Sequence, residues 1–141
     1  MNVLDYFEKS VEDKIIVYKL KNEDRDTFID LFSDSYVDFF ISKEDLKQQC
    51  ETVNECAGDY LRDIIIPDQG NIKAGDFGEI FCYLSVLNNE TRKGFNLEGP
   101  KKWLWKEEKN KPAPYSDVVL FYQNNSDSSL DKIIVVESKT A

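Results

Sequence analysis

At 141 residues, 41% hydrophobic and 13% aromatic, the chain is sized for one domain with a real core, and its 32% charged residues exclude a membrane-embedded body. It has no histidine, which excludes Ser-His-Asp and Cys-His mechanisms and the His-rich zinc sites of most zinc hydrolases. A net charge of −9 counts against nucleic-acid binding through the surface as a whole, because phosphate contacts draw on Lys and Arg.

Catalysis by such a chain falls to carboxylates, lysine and a hard metal ion. Cys50, Cys56 and Cys82 are an odd set without CxxC spacing; they argue against a disulfide framework or zinc site and read as small buried hydrophobes. The charge is uneven. Residues 1–66 hold sixteen acids against eight bases, whereas 91–114 hold seven bases against three acids. No apolar run exceeds five residues, and the N-terminus lacks the basic start and apolar stretch of a signal peptide, so a cytoplasmic location without membrane insertion is expected.

In chain order, 14–20 (KIIVYKL) has strand composition, and 26–42 places Phe28, Leu31, Phe32, Tyr36 and Phe39 at helical spacing. A second helix is predicted over 42–66, with Ser42 as N-cap, Asp45 three residues on, and Leu46, Cys50, Val53, Ala57 and Leu61 along one side; Pro67 and Gly70 end it. After a turn over 67–75, residues 76–87 (DFGEIFCYLSVL) predict a compact helix capped by Asp76, with Phe77, Ile80, Phe81, Leu84 and Leu87 on its apolar face. Strands are predicted over 101–109, 116–123 and 131–139, separated by the turn-rich NKPAPY and NNSDSSL. The last two are apolar on both faces, as central strands covered by helices are.

Strand alternation places Glu137 and Lys139 on one face and Ser138 on the other. Asp117 opens the preceding strand, and a hairpin would bring it near Glu137, although composition leaves the register open. Two carboxylates suit Mg²⁺ or Mn²⁺, which activates water and neutralises charge on a phosphate, while a lysine orients that water.

Asp117, nineteen intervening residues and then Glu137-Ser138-Lys139 resemble the PD-(D/E)xK nuclease superfamily, and Glu79 in GDFGEIFCYL matches the glutamate that superfamily carries on the preceding helix. The GDFGE helix start and the closing ESK are similar to the HamA-like nuclease subunit of Hachiman-type anti-phage systems. The resemblance covers about residues 74–141 and implies an α/β, restriction-endonuclease-like core: a helix and then three strands, in a mixed sheet flanked by helices. Residues 1–73 then form a separate acidic, mainly helical region. The resemblance further implies Mg²⁺-dependent (or Mn²⁺-dependent) cleavage of DNA together with a helicase subunit, with Asp117, Glu137 and Glu79 as metal ligands and Lys139 positioning the attacking water. Two departures are present. Pro114 is separated from Asp117 by Tyr115 and Ser116, and the superfamily's helix and strand after the lysine are missing, so the chain is expected to be truncated or to need another chain to complete its sheet.

Each residue also has a plain reading. Asp76-x-x-Glu79 is a capping-box spacing, Asp117 suits a turn before a strand, and Glu137 with Lys139 suits an ion pair at a solvated strand end. Trp103 and Trp105 with their lysines fit either a base-stacking surface or, more often, core packing on one face of a strand. The rival function is a non-catalytic interaction module with a degenerate or incomplete nuclease fold.

Overall fold

A computed structural model describes residues 2–114 and 118–139. A 3-10 turn at Val3–Tyr6 leads into an antiparallel hairpin of β1 (Phe7–Glu12) and β2 (Ile15–Leu20). Glu12 pairs with Ile15, leaving a two-residue turn in which Asp13 takes a positive φ of 54°, a conformation aspartate tolerates better than most residues. The predicted strand is β2; β1, with only Val11 beyond Phe7 as an apolar residue to mark it, was not legible.

Helix α1 (Arg25–Val37) buries Phe28 and Phe32, as the spacing predicts. Helix α2 (Lys43–Val53) starts where expected, with the Ser42 hydroxyl accepting from Asp45 N at 3.0 Å. It does not run on to residue 66. Asn54 enters the left-handed region at φ 55° and ends the helix, and the chain restarts as a short α3 (Ala57–Tyr60) followed by a π-helical turn at Leu61–Ile65. The cysteines divide: Cys50 is buried, Cys82 is half-buried and Cys56 is exposed, where it caps α3 by accepting from Asp59 N.

The main departure is α4, which spans Gly70–Arg92 and so begins six residues before the predicted start. Asp76 is therefore inside the helix, buried, and not its cap. Phe81 packs on the rings of Phe7, Phe28 and Phe32, and Ile80 and Tyr83 are buried, so one long helix gathers N-terminal and C-terminal elements into a single core cluster. At its far end Asn88 Oδ1 accepts from Val3 N at 2.7 Å.

Residues 101–109 do not form the predicted strand. Lys102–Trp105 is a 3-10 helix in which the consecutive residues Lys102 and Trp103 are both buried, a pattern that strand alternation forbids. Trp103 packs edge-on against Phe39 and Tyr83, whereas Trp105 is 54% exposed.

Strands β3 (Val118–Tyr122) and β4 (Lys132–Val136) form an antiparallel hairpin with Val118 opposite Val136. Glu98 adds a single antiparallel bridge to Phe121 on the outer side of β3. Gly99 beside it has no room for a side chain, since a Cβ would lie 2.4 Å from Val119 O. The fold is α/β, but in place of one mixed sheet the described residues form two separate two-stranded antiparallel sheets. The expectation that β3 and β4 are covered on both faces also fails. Val118 and Leu120 are buried toward the core, while Val119, Phe121, Ile133 and Val135 on the opposite face are exposed, because α4 packs against one side only. No helix among the described residues is long and apolar enough to cross a membrane.

Candidate functional site

Asp76 and Glu79, three residues apart, share a face of α4. Facing them, Lys102 begins the 3-10 helix and Lys106 is its C-cap. The result is two rungs of opposite charge: Lys106 Nζ to Asp76 Oδ2 at 2.6 Å, and Lys102 Nζ to Glu79 Oε2 at 2.9 Å. The first rung is buried, with both side chains 5% exposed; in the second, Lys102 is 5% exposed and Glu79 is 25% exposed.

Burial pushes the Asp76 carboxyl above its usual range despite the pull of the Lys106 ammonium. The same burial, with the Asp76 charge adding to it, raises the Tyr36 phenol. Lys106 also stands over the Phe40 ring at 5.7 Å, tying the ladder to the segment after α1. Asp76 and Glu79 open onto a cleft of about 290 Å³ that is also lined by Asn71, Gly75, Pro112 and Ala113. The cleft thus borders the segment that leads into Asp117.

The four residues singled out from sequence fall in different places. Glu79 is on α4 at the cleft and does not close a capping box, because Asp76 is not a cap. Glu137 and Lys139 follow β4 as an exposed ion pair at 3.4 Å, with side chains 71% and 82% exposed respectively. Asp117 lies outside the described residues, so the predicted ligand set is not seen together. Among the described residues, no three acids or cysteines gather as a cation site would require. By donor chemistry, the carboxylates of Glu79, Asp117 and Glu137 suit a hard divalent ion such as Mg²⁺.

The basic segment 91–114 is largely neutralised from within. Arg92 pairs with Asp5, Lys93 with Glu90, Lys102 with Glu79, Lys106 with Asp76, Lys109 with Asp68 and Lys111 with Glu108. Lys101 sits over the Phe39 ring and donates to Asp38 O at 3.4 Å. The uneven charge along the chain is thus in large part internal complementarity. Sequence reasoning missed Lys102 and Lys106 as partners of the α4 acids. The available signal was their i, i+4 spacing opposite acids at i, i+3, which a strand assignment for 101–109 concealed.

No curated protein and no solved structure matches the chain. The HamA family model matches residues 3–141, which extends well beyond the C-terminal half that carries the motif residues and takes in the N-terminal hairpin and α1. With nearly its whole length matched, the chain belongs to the HamA family, the nuclease-like subunit of Hachiman anti-phage defence.

Proposed function

We propose that the chain is a metal-dependent nuclease that cleaves DNA in anti-phage defence, working with a helicase-type partner. The observation that carries this reading is the β3–β4 register: Val118 faces Val136, and in the sequence Asp117 immediately precedes the first and Glu137 immediately follows the second. Each acid is one peptide bond from a paired Cα, and Lys139 stands two residues beyond Glu137, close enough to ion-pair with it. The order of α4, β3 and β4 matches the helix and the last two of the three strands that the PD-(D/E)xK resemblance implies, while a 3-10 helix stands where the first strand was expected.

In this reading Asp117, Glu137 and Glu79 would hold Mg²⁺ or Mn²⁺, and a bound ion would supply Lewis-acid stabilisation of a phosphodiester under attack. Lys139 contributes the ammonium that orients the attacking water. Its exposure and that of Glu137 leave both open to a polymeric substrate. The internal pairing of the 91–114 bases leaves that segment little free positive charge, and with a net charge of −9 this supports delivery of DNA by a partner subunit.

One observation favours the second reading, a non-catalytic interaction module: Glu79 is engaged by Lys102 and not by a shared ligand set. Plasmid cleavage with Mg²⁺ or Mn²⁺ separates the two. Nicking by the wild type that is lost in Asp117→Ala and Lys139→Ala supports the nuclease. Equal cleavage by all three proteins sinks it, and no cleavage by any of them favours the module.

A further inference from the structure

Of the two carboxylates of the proposed metal set that lie among the described residues, Glu79 is bonded to a buried cation and Glu137 to an exposed one. Lys102 Nζ sits 2.9 Å from Glu79 Oε2, and that lysine is 5% exposed, flanked by Trp103 in the core with the ring 5.6 Å from the ammonium. A surface lysine released from a carboxylate can swing into water. Lys102, held in a packed 3-10 turn, has no such retreat, and the second buried ammonium, Lys106, is committed to Asp76 one helical turn away. A divalent cation bound to Glu79 would therefore remain close to a fixed positive charge in a poorly solvated setting, where charge repulsion is screened far less than in bulk water.

We propose that Lys102 is a built-in competitor of the divalent cation at Glu79, a positioning residue that holds the carboxylate at the cleft and sets the cation concentration at which the site loads. The proposal rests on Glu79 being a cation ligand, as in the function proposed above. Its consequence is that the site loads weakly by itself. An anion arriving with the cation, as a DNA phosphate does, offsets the charge on Lys102, so cation and phosphodiester bind with positive coupling.

The test is Mn²⁺ binding to the full chain without nuclease turnover, followed by the electron paramagnetic resonance signal of free Mn²⁺. Lys102→Met, which keeps the length of the stem and removes the charge, is expected to tighten Mn²⁺ binding by about tenfold or more, while Lys102→Arg stays near wild type. A short phosphorothioate oligonucleotide, resistant to cleavage, should tighten Mn²⁺ binding to wild type and do so much less in Lys102→Met. Lys102→Gln serves as the neutral variant if the methionine protein does not fold, with circular dichroism as the check. Unchanged or weaker Mn²⁺ binding in a folded neutral variant, while Glu79→Gln and Glu137→Gln both weaken it, overturns the competition alone. Unchanged Mn²⁺ binding in Glu79→Gln overturns the ligand role on which it stands.

Discussion

Lys106 Nζ lies 2.6 Å from Asp76 Oδ2 across the gap between the 3-10 helix and α4, and both side chains are 5% exposed. Removing one partner from such a pair strands a charge in the core. Lys106→Ala is expected to cost about 3–5 kcal/mol, and a paired Asp76→Asn/Lys106→Met replacement much less, because no charge is then left uncompensated. Urea denaturation of the two proteins checks the difference; equal losses would mean that the pair is not coupled.

Gly99 is fixed by the approach of β3. A Cβ there would lie 2.4 Å from Val119 O and 2.7 Å from Leu120 Cδ2, and backbone cannot yield as a flexible side chain does. Gly99 O also accepts from the Tyr83 hydroxyl at 2.8 Å, and its neighbour Glu98 exchanges two backbone hydrogen bonds with Phe121. Gly99→Ala is predicted to destabilise the fold by about 1–3 kcal/mol, the range for overpacking, and to lower the thermal midpoint.

Glu90 provides a pH handle. Lys93 Nζ at 2.5 Å, with Lys132 Nζ at 3.8 Å, holds its carboxyl below the usual glutamate range. A depressed folded value stabilises the fold above the unfolded glutamate pKa, about 4.3, and that contribution is lost as pH falls through the folded value. Glu90→Gln is therefore expected to be less stable than wild type near neutral pH, by about 1 kcal/mol for one charge-assisted hydrogen bond, with the difference shrinking in acid. Chemical denaturation at pH 7 and below pH 4 reads this directly.

Glu137 and Lys139 separate function from stability. Their ion pair is exposed, so Glu137→Gln and Lys139→Ala are expected to change folding stability by less than about 0.5 kcal/mol. If they act as proposed, plasmid nicking by the complete defence complex falls on the order of a hundredfold or more in each, as the loss of a group that stabilises the reacting phosphate implies. Unaltered nicking together with unaltered stability would return the pair to the role of a solvated strand end.

Legibility followed the range of the forces involved. The Ser42 cap, the α1 periodicity and the β2, β3 and β4 strands are set by neighbours within a few residues, and the structure keeps them. The break at Asn54 and the early start of α4 were not legible, because a single left-handed residue and the docking of a helix's first two turns are decided by what packs on them. The site divides in the same way: the ESK tripeptide, whose Glu137 and Lys139 pair with each other, and Glu79 stand out in the sequence, whereas Lys102 as the partner of Glu79 does not.

By itself the sequence determined the chemistry available, carboxylates and lysines without histidine, and the motif order that led to the HamA family. Tertiary structure alone decided which of those charges are committed. Asp76 changed from a helix cap to a buried ion-pair partner, Lys102 from a strand residue to the companion of Glu79, and six of the seven bases of 91–114 to carboxylate partners. The physical reason is that an ion pair is made in space, between segments as much as 87 residues apart, and its cost or gain depends on burial, which no local pattern records.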